Sequence, residues 1–310
     1  MKKNKIILGA ASALAIFTLA ACGSGNKNIA TMKGATISVE DFYNQAKTNQ
    51  TNQQIVQSMI ISKVFEEAYG DKVSTKEVDK KFDEAKKQYG DTFATQLKTY
   101  GYTTATFKDY IKQQLAVQAG LKAHVKVTDA NLKEAWKTFN PEVTASIITA
   151  SSEDDAKKVL EEVKAPDADF AKIAKEKSTD TATKSKGGEI KFDSTSTTVP
   201  DEVKTAAFKL KNGEISDVIT VTDPSTYSTN YYIVKMDKAQ TKGNSMDKYK
   251  DKLKKIAEET MLADQTFQTK TIGEELKKAN VKIEDKAFDN VLSTFTGATT
   301  SSSSSTKSSK

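Results

Sequence analysis

Ala206-Ala207-Phe208-Lys209-Leu210-Lys211-Asn212-Gly213-Glu214-Ile215-Ser216 is the stretch on which the fold of this chain turns. Upstream, Pro200 to Leu210 reads as a helix; downstream, Asp217 to Thr222 and Asn230 to Asp237 read as strands. Toward the N-terminus, Lys186-Gly187-Gly188-Glu189 is a turn, Asp169 to Lys177 and Glu153 to Lys164 are helical, and Glu142 to Thr149 is β-like. Asn140-Pro141 marks the boundary where this pattern begins. Strands interleaved with helices over roughly 95 residues describe a compact α+β domain.

On both sides of this domain the apolar residues recur at helical spacing. Thr36 to Lys47 has Ser38 and Asp41 at capping spacing and Phe42 and Ala46 on one face. Ile55, Met59, Ile60, Val64 and Phe65 form a second stripe, and the capping box Ser74-Thr75-Lys76-Glu77 opens a helix with Val78, Phe82 and Ala85 inward. Gly90 and Gly101 bracket a short helix with Phe93 and Leu97. Thr104 to Ala123 carries Phe107, Tyr110, Ile111 and Leu115, and Thr128 opens another helix with Trp136. After the α+β domain, Asn244 to Ala279 is helical again, with Tyr249, Leu253, Ile256, Met261, Phe267, Ile272 and Leu276 apolar. An amphipathic segment of this length needs a surface to cover, and the N-terminal helices offer one. Thr299 to Lys310 is Ser/Thr/Lys low complexity without hydrophobes, the composition of a disordered tail.

The first residues read as a leader. Lys2, Lys3 and Lys5 precede an uncharged apolar run from Ile6 to Ala20, short for a membrane span. The run ends in Leu19-Ala20-Ala21-Cys22, the order of a bacterial lipobox. In such a box the thiol takes a diacylglyceryl group, the leader is cut off, and the cysteine remains as an N-acylated first residue. Residues 1–21 are then the signal peptide, Cys22 the lipid anchor, and Gly23 to Asn28 a flexible tether. Cys22 is the one cysteine of the chain, so with its thiol alkylated the fold holds without a disulfide. Without the three lysines of the leader, 44 of the 47 basic residues face 41 acidic ones, a net charge of +3. Every basic residue is Lys, which argues against bidentate reading of bases or phosphates and hence against a nucleic-acid partner.

The middle domain resembles a parvulin, the small peptidyl-prolyl isomerase module. The segments that carry the resemblance are Ser178-Thr179-Asp180-Thr181, Lys186-Gly187-Gly188-Glu189-Ile190, Ala206 to Ser216, and Tyr232-Ile233-Val234-Lys235. The whole layout is similar to the PrsA-type foldase lipoproteins of Gram-positive bacteria, with a SurA-like helical chaperone part around the parvulin. The resemblance implies an α+β chain with a helical part at 22–140, a parvulin-like insert at 141–240, and a C-terminal helical segment at 241–298 packing back on the N-terminal part. A disordered tail at 299–310 completes the layout.

For the chemistry, the resemblance places Ile147 where the first strand of a parvulin has a histidine, and Tyr232 where the last strand has another. Asp180 matches the acidic or cysteine position beside the prolyl peptide, and Ile190, Val199 and Val203 match the apolar positions that receive the proline ring. The bland readings are a turn residue for Asp180 and plain core for the apolar three. The only histidine, His124, lies in the helical part and reads as a helix-surface or helix-end residue. Prolyl isomerisation lowers a rotational barrier of about 18–20 kcal/mol and needs no nucleophile, cofactor or metal. It needs an apolar clamp, a desolvated amide and hydrogen bonds that favour the twisted state. Ile147 offers no such bond, and Tyr232 offers one from a different position. The expectation is a membrane-anchored extracytoplasmic foldase for secreted proteins, with a groove that holds proline segments and turns them over weakly or not at all. The alternative is an active prolyl isomerase of class 5.2.1.8. The implied partners are unfolded or partly folded secreted chains and the membrane, through the lipid; a homodimer is open to the family. A solute-binding lipoprotein would share the anchor but calls for a two-lobed α/β pattern that the sequence does not carry.

Overall fold

The structure, a computed structural model, describes residues 27–297 apart from Ser225. The expected signal peptide, Cys22 and the Ser-rich tail at 299–310 lie outside the described residues. The chain opens with strands β1 (Asn28–Met32) and β2 (Ala35–Ser38), then helices α1 (Val39–Ala46), α2 (Gln50–Tyr69), α3 (Thr75–Tyr89), α4 (Phe93–Thr99), α5 (Thr104–His124) and α6 (Asp129–Thr138). There follow β3 (Val143–Ala150), α7 (Glu153–Lys164), α8 (Phe170–Lys177), β4 (Glu189–Phe192), α9 (Asp201–Ala207), β5 (Ile219–Thr222) and β6 (Thr229–Lys238). Helices α10 (Lys250–Ala263), α11 (Gln265–Lys278) and α12 (Ser293–Thr296) close the described chain. Two compact units result: residues 127–257, and residues 27–126 together with 258–297.

In the first unit the four strands form one antiparallel sheet in the order β4-β3-β6-β5. Side chains on a strand alternate between faces, and β3 is apolar on both. Val143, Ala145 and Ile147 join Val234 and Met236 of β6 on one face, where Val199 and the α9 residues Val203 and Ala207 cover them. Ile148 and Ile233 point the other way, onto Val159 and Val163 of α7 and Phe170 and Ala174 of α8. A smaller cluster joins α6 to the start of α10 through Ala135, Phe139, Leu253 and Ala257, with Trp136 and Tyr249 against it.

In the second unit α2 packs along α5, and Gly120 is what lets them approach: a Cβ there would stand 2.4 Å from the ring of Phe65, which is fully buried. Phe93, Leu97, Phe107 and Ile111 build a core with Val78 and Ala85 of α3. The returning chain supplies the rest, with Leu276 of α11 and Phe288, Val291 and Leu292 beside Val56, Ile60 and Val64 of α2. Glu275 of α11 is buried, and burying a carboxylate costs heavily unless it is paired. Its Oε1 accepts from the Tyr69 hydroxyl at 3.1 Å, with His124 Nε2 at 3.2 Å and Lys278 Nζ at 3.6 Å. His124 is the last residue of α5, its Nδ1 2.9 Å from the Gly120 carbonyl.

The structure corrects the sequence reading at four places. Asn28, expected as the end of the tether, and Thr36 to Ser38, expected as a helix start, lie in a hairpin instead, because Lys33-Gly34 turns the chain, with Gly34 at φ +83°, and Thr36 and Ile37 favour strand. The helix there begins at Val39, capped by the Ser38–Asp41 box. Glu189, expected as the last residue of a turn, opens strand β4, a strand the sequence reading does not contain. The helix expected from Pro200 to Leu210 covers Asp201–Ala207. Asn244 to Ala279 is not one helix: a short turn of helix at Asp247–Tyr249 leads into α10, and Asp264 breaks the run by capping α11, its carboxylate accepting from Phe267 N.

Candidate functional site

The largest concentration of singled-out residues lies on the α9-covered face of the sheet. A cavity of about 280 Å³ opens there, lined by Ile147 and Thr149 of β3, Tyr232 of β6, Ile190 of β4, Thr179, Asp180 and Thr183 of the loop after α8, and Thr198, Val199 and Pro200 before α9. Strand register explains the grouping. Thr149 pairs with Tyr232 and Ile147 with Val234, so Ile147, Thr149, Tyr232 and Val234 share one face, and the cavity opens where the core under α9 runs out toward the strand ends. Ala145 pairs with Ile190, which brings β4 into the same wall. Of the six positions expected to make the site, five line this cavity. Val203 does not: it is fully buried behind the wall, packed with the cluster that holds Val199.

Ile147 is buried, and its backbone N–H donates to the Gly188 carbonyl at 2.9 Å. Gly188 sits at φ +84°, and a Cβ there would stand 2.5 Å from the Ile147 carbonyl oxygen. Gly188 is therefore pressed onto the backbone of β3 behind Ile147, a contact that any side chain would prevent.

Asp180 holds its own loop. Its Oδ1 accepts from Ala182 N at 3.0 Å, its Oδ2 from the Thr183 hydroxyl at 2.6 Å, and its carbonyl from Lys184 N at 3.0 Å. Ser178, fully buried, ties this loop to the sheet: its hydroxyl accepts from Thr149 N at 3.2 Å and Asp180 N at 3.3 Å. Tyr232 is half-buried, and its phenol is held above the ordinary tyrosine range, first by burial and then by the negative charges of Asp180 and Glu202. At neutral pH it is an un-ionised hydroxyl on a residue that lines the same cavity as Asp180.

A second cavity, about 460 Å³, shares Thr198, Val199, Pro200 and Tyr232 with the first and runs along residues 194–197. Sequence reasoning missed what holds this lip. Lys204 of α9 is buried and donates to the carbonyls of Ser194 at 3.3 Å and Ser196 at 2.7 Å, with Asp201 Oδ1 at 2.9 Å. Asp193, also buried, accepts from Thr195 N at 2.8 Å and is paired with Lys252 of α10. The signal was present in Asp193-Ser194-Thr195-Ser196, a run that favours side-chain-to-backbone turns.

The site thus offers an apolar wall, a neutral phenol, and a carboxylate occupied with its own turn. The Ile147 side chain presents no donor or acceptor where it lines the cavity.

Residues 140–238 match the rotamase family, the PPIC-type PPIASE domain. The foldase protein PrsA of Enterococcus faecalis is 59% identical over 308 residues, covering 98% of this chain and 90% of that protein. The chain belongs to the PrsA foldase family. The foldase protein PrsA of Streptococcus mutans is 47% identical, over 96% of this chain and 89% of that one. Among solved structures, foldase protein PrsA of Streptococcus pneumoniae superposes with a TM-score of 0.76 at 44% identity, over 86% of this chain and 99% of that chain. PrsA of Lactococcus lactis superposes with 0.64 at 41% identity, over 87% and 99%. Membership in the PrsA family gives the α+β reading its full frame, a parvulin domain in the middle of the chain with helical regions on either side.

Proposed function

We propose that this chain is an extracytoplasmic foldase that receives unfolded or partly folded secreted proteins, and that its parvulin domain holds proline segments while turning them over weakly. The observation that carries the reading is Ile147. The cavity has the apolar wall that a proline ring needs, formed by Ile190 and Val199 with Val203 behind them, yet an alkyl side chain stands at the imidazole position of the family. Tyr232 supplies one hydroxyl, and Asp180 acts first as the clasp of its loop. Chaperoning needs none of these donors. Exported chains emerge unfolded, and slow prolines hold their folding back for tens of seconds, so keeping apolar segments apart during that time is a physical service in itself.

In this reading residues 1–21 are removed as a signal peptide and Cys22 carries the S-diacylglycerol and N-acyl groups that hold the protein at the membrane. The client surface is formed by the helical parts, 22–140 and 241–298, around the insert at 141–240, and two copies can pair. Among the described residues no helix is long and apolar enough to cross a membrane. The buried acyl chains contribute about 0.8 kcal/mol per CH₂, enough with two or more chains for stable anchoring.

A second reading, an active isomerase, is favoured by one observation: Tyr232 and Asp180 line the same cavity. A protease-coupled prolyl-isomerase assay on the soluble protein starting after Cys22, run beside an aggregation-suppression assay on an unfolded client, separates the two. Suppression with little isomerisation is expected. A rate near that of an active parvulin, collapsing on Asp180→Ala, would establish the enzyme reading.

A further inference from the structure

The N-terminal hairpin and the helix after it leave apolar side chains in the open. Two-stranded hairpins are marginal in water without a surface to lie on, and β1 and β2 are exposed on both faces, with Ile29 at 55%, Met32 at 51% and Ile37 at 44% exposure. Val39, Phe42, Tyr43 and Ala46 follow the i, i+3, i+4, i+7 spacing of a helix meant to cover something, yet α1 buries none of its residues and Phe42 is 52% exposed. Glu40, Asp41, Asn44 and Gln45 make the opposite face polar. The Tyr43 hydroxyl donates to Asp285 at 2.9 Å and Lys47 lies over its ring, so this part of the stripe fastens the helix to the protein while Val39 and Phe42 stay uncovered.

We propose that this hairpin and helix face lies in the headgroup boundary of the bilayer that carries the lipid of Cys22. The inference rests on the lipid-anchor reading. Five residues, 23–27, separate Cys22 from the start of β1. Fully extended they reach about 20 Å, so the face cannot leave the neighbourhood of the headgroups. Tethering over so short a distance turns binding into an intramolecular event at an effective concentration in the millimolar range, and a weak partition then suffices. A short amphipathic helix with aromatic residues at its apolar edge suits the interface, and Lys27 and Lys33 at the two ends of β1 can extend their charges toward the headgroups. A second copy is the poorer occupant. Six apolar side chains make a small patch beside the roughly 20–30 residues a side of a stable protein interface.

The test uses the full mature lipoprotein. With the Cys22 thiol alkylated, Phe42→Cys introduces a single free thiol for an environment-sensitive fluorophore, and Asn44→Cys gives a control on the polar face of the same helix. Each is reconstituted in vesicles of phosphatidylglycerol and phosphatidylcholine, and quenching by aqueous iodide is compared with that of the same variant carrying Cys22→Ser in solution. Quenching at residue 42 should fall at least about threefold in vesicles, while residue 44 stays open to iodide. Equal access at 42 in vesicles and in solution overturns the proposal, as does equal protection at 42 and 44. Protection at 42 that grows with protein concentration in the unlipidated form shows a second copy on this face and overturns it too. A chain whose mass lacks the diacylglyceryl group refutes the anchor reading, and the docking proposal falls with it; a lipidated chain with an open residue 42 refutes the docking alone.

Discussion

Gly188 and Gly213 share almost the same backbone conformation, φ +84° and +83°, but not the same surroundings. Alanine at either position pays the left-handed penalty of about 1–2 kcal/mol. At Gly213 nothing lies within 4 Å of the added Cβ, so that penalty is the whole effect. At Gly188 the Cβ would stand 2.5 Å from the Ile147 carbonyl oxygen and 2.9 Å from its nitrogen, both backbone atoms of a central strand that cannot swing aside. Relief requires the turn to lift off β3, which breaks the bond from Ile147 N to the Gly188 carbonyl, a loss of about 0.5–1.5 kcal/mol. Overpacking at the strand adds about 1–3 kcal/mol. Trp136, the single tryptophan, lies in the same unit, beside Phe139 and Tyr249, so its fluorescence follows the melting of that unit and not of the helical one. At about 3–5 °C per kcal/mol for a unit of this size, Gly188→Ala should melt at least about 5 °C below Gly213→Ala. If the two variants melt together, Gly188 is not pressed on the strand, and the account of how this turn holds β3 is wrong.

Three further outcomes follow from the site. Ile147→His with Tyr232→His should raise prolyl-isomerase activity about tenfold or more in the protease-coupled assay, which asks for about 1.4 kcal/mol of added transition-state stabilisation; no gain would show that the donors are not what the cavity lacks. The Tyr232 phenol should ionise later than ordinary tyrosines in a spectrophotometric titration, and Asp180→Asn should move it back down by removing one negative charge that opposes phenolate. Because the folded state then holds this proton more tightly than the unfolded chain, its contribution to stability is present below the ordinary tyrosine value, about pH 10, and is lost as pH rises through the folded one; an unmoved midpoint would refute the coupling. Lys204→Met removes a donor to two carbonyls, and hydrogen exchange at residues 194–198 should quicken while β3 and β6 keep their protection; uniform quickening would mean that Lys204 supports the whole unit.

How much of this was legible follows from which forces fix each element. The β3 and β6 segments were readable because they are long and rich in β-branched and aromatic residues, and the capping boxes at Ser38 and Ser74 were readable because they lie within four residues of sequence. Strand β4 was not: Glu-Ile-Lys-Phe is four residues, and it is a strand only because the edge of β3 lies beside it. The hairpin was missed because Thr36-Ile37-Ser38 serves both as a strand end and as the approach to a helix cap, and the cap dominated the reading. Five of the six expected site positions converge on one cavity, since the family resemblance encodes a three-dimensional arrangement that periodicity alone does not. Lys204 and Asp193 escaped because a lysine and an aspartate on a polar loop look like solvated charge until the loop folds over them.

The cavity wall and its polar groups are under different physical constraints. Val199, with Val203 behind it, belongs to the main core of the sheet unit, and Ile190 packs against that core. Truncating a buried residue of that kind costs about 2–5 kcal/mol, a large share of the stability of a small unit. Gly188 is fixed by the backbone of β3 and Asp180 by its own turn. Ile147 is under the same demand, buried in that core as an alkyl group, while Tyr232 is half-buried, packs against the core and also lines the cavity. The fold therefore fixes the apolar wall of the cavity whatever donors stand around it, because that wall is the outer surface of the core.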